Sequence, residues 1–193
     1  MSDNDRQLIH QDHQVSGVHF PLTLLLDDVT DPANVGAIFR LADALGVERL
    51  ILGGETVKPP NRRLSRTSRS TDRAVAYDVS ADINSCVVGL RKQGYQLIAL
   101  ELSAQSVDLQ SLDYGAMERI CLILGAEQTG VRSSLLEIVD YSVHISMLGV
   151  NSSMNVATAG AIAVYEMTRY LHGAVGTPDL IKRIEGESRN EKT

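Results

Sequence analysis

Apolar positions in this chain fall into short continuous runs separated by stretches of helical spacing. Residues 22–26 form one such run, ending in Asp27 and Asp28, and read as a buried strand. Pro32 then opens a turn, after which Val35, Ile38, Phe39, Ala42 and Leu45 recur at helical spacing until Gly46 stops the helix. Residues 49–52 predict a second strand, closed by Gly53 and Gly54. An arginine-rich segment follows, with a helix expected from about Leu64. A brief strand at 75–77 precedes a helix through Ile83, Val87, Leu90 and Arg91 that Gly94 ends. Residues 95–100 and 120–124 are continuous apolar runs, as strands covered on both faces require. A short strand at 143–147 leads through a Gly-Asn-Ser loop into a long helix over 154–171.

Strands alternating with helices predict an α/β domain built on a mainly parallel sheet flanked by helices. The domain is expected over 21–171, between a polar N-terminal arm (1–20) and a tail (172–193). Neither an internal repeat nor a second composition block marks another domain. His10, His13 and His19 in the arm have no fourth ligand spaced nearby, so no metal is expected there.

Composition narrows the class. With 44% hydrophobic and 22% charged residues the chain reads as a globular protein, and no window reaches the ~18 to 20 apolar residues of a membrane helix. Met1 to His19 is polar and acidic, unlike a secretory leader. Cys86 and Cys121 form no CxxC pair, so neither a disulfide framework nor a zinc site is suggested. A cytoplasmic protein is the expectation.

The net charge of −6 speaks against nucleic-acid binding, but it is unevenly spread. Lys58, Arg62, Arg63, Arg66, Arg69 and Arg73, set against Asp72 alone, make residues 58–73 +5 and leave −11 for the rest. Phosphate attraction acts within about one Debye length, ~8 to 10 Å, so the local excess matters more than the total. Arg62, Arg66, Arg69 and Arg73 would share one face of a helix, either a solvated basic stripe or a contact surface for nucleic-acid phosphates.

Three segments at strand-to-loop boundaries carry candidate chemistry. In the first, residues 28–40, Asn34 can cap the helix, Gly36 permits close approach, and Arg40 projects one turn later. An ordinary capped helix with a solvated arginine has the same look. In the second, a strand runs into Gly125-Ala126-Glu127-Gln128-Thr129-Gly130, a glycine-bracketed loop holding one carboxylate, which a plain tight turn would also explain. In the third, Ser152, Ser153 and Asn155 crowd a helix N-terminus, either as simple caps or as a site for polar ligands. The helix beyond is rich in small residues (Ala157, Ala159, Gly160, Ala161, Ala163), which suits close packing.

Taken in order, Asn-x-Gly-x-x-x-Arg, Gly-x-Glu-x-x-Gly after a strand, and Ser-Met-Asn-Val opening a helix resemble the three signature motifs of the SpoU/TrmH family of SPOUT RNA methyltransferases. The resemblance spans about 22–171. It implies a C-terminal deep trefoil knot from about Ile120 onward that holds S-adenosyl-L-methionine in a bent form. It also implies transfer of the methyl group to a ribose 2′-hydroxyl of tRNA or rRNA, with tRNA favoured, by a homodimer. Family cofactor contacts map onto Leu100, Gly125, Ile145, Met147 and Met154, and catalytic roles onto Asn34, Arg40, Glu127, Ser153 and Asn155. Met154 stands where the family usually has leucine, a volume-conserving exchange. Ala157 replaces a common serine, and any side-chain hydrogen bond there goes with it. An arginine is too weak an acid to serve readily as a base, so Arg40 is expected to fix a substrate phosphate and orient the hydroxyl. A non-catalytic RNA-binding module of the same fold is the rival. No GxGxxG or GxxxxGK[ST] pattern supports a dinucleotide or P-loop enzyme.

Overall fold

The structure is a computed structural model that describes residues 17–150 and 153–175. Most of the arm, with His10 and His13, and the tail from 176 lie outside the described residues, as do Asn151 and Ser152. Seven strands form one sheet: β1 (Phe20–Asp27), β2 (Val47–Gly53), β3 (Tyr77–Ser80), β4 (Gln96–Leu100), β5 (Val107–Asp108), β6 (Ile120–Leu124) and β7 (Tyr141–His144). Among the described residues, four α-helices lie between strands, α1 (Pro32–Ala44), α2 (Arg62–Ser68), α3 (Ile83–Lys92) and α4 (Ser133–Leu136), and α5 (Val156–Val175) follows the last strand. The spatial order is β3-β2-β1-β6-β4-β7-β5, and every pairing is parallel.

A parallel sheet must be covered on both faces, and side chains alternate between them. One face of the central strands sends Leu25, Ile51, Leu97, Ala99, Cys121 and Ile123 against Ile83, Val87 and Leu90 of α3 and Leu135 of α4. On the other face lies α5. A β-carbon on its Gly160 would meet Leu124 at 3.0 Å and Leu41 of α1 at 3.7 Å, so α5 lies tight against β6 and α1. The small residues of α5 are the sequence counterpart of that approach.

Most predicted elements stand where the pattern put them. The differences have local causes. The first strand begins at Phe20, which is buried, so the arm ends sooner than residue 20. Asp31, not Asn34, caps α1, accepting from the Ala33 amide at 2.9 Å. Gly36 serves packing between helices, because a β-carbon there would lie 2.6 Å from the Leu64 carbonyl of α2. The third strand is displaced to 77–80 and β7 to 141–144, and α5 starts at Val156 under an Asn155 cap. The arginine stripe is not one helix face. α2 stops at Ser68, and Arg69 and Ser70 adopt left-handed backbone before a single 3-10 turn at Thr71–Arg73. Arg62 and Arg66 share α2, while Arg69 and Arg73 lie beyond its last residue, and all four are exposed.

Candidate active site

Because all strands run the same way, their C-terminal ends share one edge, where ligands of such sheets bind. The ends of β4, β6 and β7 and the start of α5 surround a cavity of about 760 Å³, within the ~300–1,000 Å³ usual for small-molecule sites. Leu100, Gly125, Ile145, Met147 and Met154 all lie in its wall, as do Glu127, Ser153 and Asn155. Asn34 and Arg40 do not line it.

The glycine loop is folded by its own backbone. Ala126 and Gly130 exchange N–H···O bonds of 3.1 and 2.9 Å, which leaves Glu127, Gln128 and Thr129 exposed at the tip. Gly125 is required by contact, since a β-carbon there would lie 2.2 Å from the Gly130 carbonyl carbon and the Val131 nitrogen. Gly130 has φ +67°, and a side chain would strike the Glu101 carboxylate at 2.2 Å.

Two carboxylates fasten the far end of this loop. Glu101, just past β4, accepts from the Val131 N–H at 2.9 Å and from the Leu102 N–H at 3.0 Å. Asp27, at the end of β1 and 1% exposed, accepts from the Arg132 N–H at 3.1 Å and from its Nε at 2.7 Å. The same guanidinium reaches Asp28 at 2.7 Å, and the Asp27 hydrogen bond foremost pushes its pKa further up. A buried carboxylate needs such a partner, because an unpaired charge in the sheet would be strongly destabilising.

So anchored, Glu127 accepts from Asn34 Nδ2 at 2.6 Å. Asn34 Oδ1 in turn accepts from Asn155 Nδ2 at 2.8 Å, and Asn155 Oδ1 caps α5 by accepting from the Ala157 and Thr158 amides at 3.0 and 3.2 Å. One hydrogen-bonded row thus joins all three sequence segments. Arg40 is six residues beyond Asn34 on α1, about 9 Å along the axis by helical rise. It is exposed and makes no hydrogen bond or ion pair among the described residues.

The sequence patterns did not disclose Asp27, Arg132, Glu101 or His144. Asp27 and Asp28 were visible only as the end of a strand, and Arg132 lies just past the motif. Glu101 and His144 follow or close apolar runs, with no spacing signal to mark them. No group of three or more His, Cys, Asp or Glu suited to a metal occurs among the described residues.

The SpoU rRNA Methylase family profile matches residues 21–165. The tRNA (guanosine(18)-2'-O)-methyltransferase of Escherichia coli (strain K12) is 33% identical over 155 residues, covering 79% of this chain and 65% of that protein. The enzyme of the same name from Thermus thermophilus is 31% identical, covering 77% and 74%. Among solved structures, the AdoMet-bound rRNA methyltransferase from Sinorhizobium meliloti superposes with TM-score 0.73 at 32% identity, covering 78% of this chain and 56% of that one. The A. aeolicus TrmH/SpoU tRNA modifying enzyme shares the fold, with TM-score 0.74 at 24% identity, covering 91% and 90%.

Proposed function

This chain belongs to the SpoU rRNA Methylase family, and on that footing we propose that it transfers a methyl group from S-adenosyl-L-methionine to a ribose 2′-hydroxyl of tRNA. The observation that carries the reading is the row Glu127–Asn34–Asn155, which ties the three motif segments together at the mouth of one cavity. The similar E. coli and T. thermophilus proteins bear names that specify this reaction on tRNA. The match to the E. coli protein covers 65% of that protein's length.

The cavity suits the cofactor. Its volume fits a nucleoside-sized ligand, Leu100, Leu124, Ile145, Met154 and Val156 supply apolar walls for a base, and Gly125 allows backbone approach. Bound there, S-adenosyl-L-methionine supplies a sulfonium-activated methyl group. The protein's part is alignment, since positioning for in-line attack removes much of the barrier. Glu101 and Glu127 place negative charge beside a cationic ligand. Arg40, with no partner among the described residues, holds an RNA phosphate and orients the 2′-hydroxyl, whose proton passes to that phosphate or to water. The chain from β6 through α5 forms the trefoil knot, a reading favoured by β6 lying between β1 and β4 while α5 returns to pack on α1. The enzyme is a homodimer, and Ile162, Tyr165 and Tyr170 of α5, 41%, 60% and 39% exposed, give it an apolar contact face. A tRNA substrate places its work in the cytoplasm. No helix of the described residues is long and apolar enough to cross a membrane.

Purified protein, methyl-labelled S-adenosylmethionine and separate tRNA and rRNA substrates test this. The expected product is a 2′-O-methylated nucleotide in tRNA, read by nuclease digestion and mass spectrometry. Methylation of a base overturns the reaction assigned, and methylation of rRNA alone overturns the substrate.

A further inference from the structure

His144 closes β7 and is one of the residues that line the cavity. Its Nδ1 lies 2.9 Å from Ser106 Oγ. A hydroxyl has one proton and two lone pairs. Ser106 gives its proton to the Ser103 carbonyl at 2.8 Å and accepts from the Ser103 N–H at 3.0 Å. One lone pair remains, so all three contacts are satisfied only if His144 Nδ1 is the donor. The neutral ring then carries its hydrogen on Nδ1, and Nε2 is left as an acceptor.

That acceptor is without a hydrogen-bond partner among the described residues. Several acceptors around it are engaged: both Glu101 oxygens by backbone amides, Glu127 Oε1 by Asn34, and Asn155 Oδ1 by the first turn of α5. The half-buried imidazole, next in the chain to Ile145, is therefore an oriented acceptor in a wall of mixed polar and apolar side chains. Resting on the reading that this cavity takes S-adenosylmethionine, we propose that His144 is a further cofactor-binding residue, its Nε2 accepting a hydrogen bond from the adenosyl part of the cofactor. The exocyclic amine and the ribose hydroxyls of that part are the donors available. Ser103 and Ser106, in the connection between β4 and β5, are positioning residues that set the tautomer.

Two replacements separate this role from a merely structural one. His144→Asn keeps an amide nitrogen near the Nδ1 position and removes the acceptor at Nε2. His144→Gln extends an amide to the Nε2 position and gives up the Ser106 contact. Calorimetric titration of the full chain with S-adenosylmethionine is expected to leave the Gln variant within about threefold of wild type and to weaken the Asn variant about tenfold, the scale of one hydrogen bond. An Asn variant that binds as tightly as the Gln variant overturns the proposal. So does an ¹⁵N spectrum of the wild-type protein showing the hydrogen on Nε2, a reading independent of how the variants fold. A wild-type protein that binds no S-adenosylmethionine refutes the cofactor assignment itself, a different result from failure of the His144 comparison.

Discussion

Asn34 Nδ2 donates to Glu127 Oε1 at 2.6 Å across a separation of 93 residues. The same amide accepts from Asn155 with its oxygen, so its two ends serve two different motifs. A single side chain of α1 thereby ties the glycine loop to the start of α5. None of these bonds is buried, so their value lies in geometry more than in global stability.

Only an amide supplies a donor and an acceptor at that reach. Asn34→Asp would set a second carboxylate against Glu127, and Asn34→Ala would leave both neighbours unbridged. Either variant is expected to lose methyl transfer on the order of tenfold or more, while the unfolding free energy falls by about 1 kcal/mol or less. Turnover and urea unfolding, measured on the same preparations, check this. A variant with full turnover would remove Asn34 from the site.

Much of this arrangement was legible in the sequence, for physical reasons that differ by element. The runs at 22–26 and 120–124 are apolar throughout because parallel strands have no wet face, and β1 and β6 lie there. The glycines at 125 and 130 announced a close approach, which the contacts to Val131 and Glu101 explain. The helix expected to carry the arginines on one face failed because periodicity does not reveal a left-handed break at non-glycine residues such as Arg69 and Ser70. The Asp27–Arg132 pair was invisible because 105 residues separate its members and only the fold brings them together.

That break shapes a prediction for RNA binding. Arg62 and Arg66 share α2, whereas Arg69 caps its end and Arg73 belongs to the 3-10 turn beyond the left-handed break, so the two pairs sit on different elements. Replacing Arg62, Arg66 and Arg69 together is expected to weaken binding to all RNA sequences and to flatten the salt dependence by at most about one unit of slope per lost phosphate contact. Comparing Arg62/Arg66 with Arg69/Arg73 double variants assigns the contacts to one pair. An unchanged salt slope in the triple variant leaves the whole group as a solvated face.

Asp72 makes this turn sensitive to acid. Burial alone would raise its pKa, but hydrogen bonds from the Ser68 and Ser65 hydroxyls, with help from Arg73, outweigh that and hold it below the usual carboxylate value. A depressed folded-state pKa means stability that is present above the unfolded value and lost as pH falls through the folded one. Asp72→Asn is therefore expected to be less stable than wild type near pH 7. The gap should begin to narrow as pH falls below the unfolded-state value of about 4 and close only once the folded carboxylate, with its depressed pKa, also takes up its proton. Thermal melts across pH 3–7 provide the check, and a gap that persists undiminished in acid would exclude the carboxylate's charge as its source.

Arg40 supplies the last test, because it belongs to a motif yet does not line its own chain's cavity. A two-fold dimer would let it serve the cavity of the partner. Arg40→Ala alone is expected to abolish turnover while cofactor affinity stays nearly unchanged, and Glu127→Ala is expected to be inactive as well. Mixed and re-equilibrated, the two inactive proteins have different fates under the two geometries. If Arg40 acts across the interface, each mixed dimer contains one cavity with both residues intact and one with neither. Half the dimers are mixed, so activity should return to roughly a quarter of wild type. If Arg40 acts within its own chain, every cavity in the mixture lacks one residue and nothing returns. Sedimentation at micromolar concentration must accompany the assay, since an active ~21 kDa monomer would rule out a required dimer whatever the mixing shows.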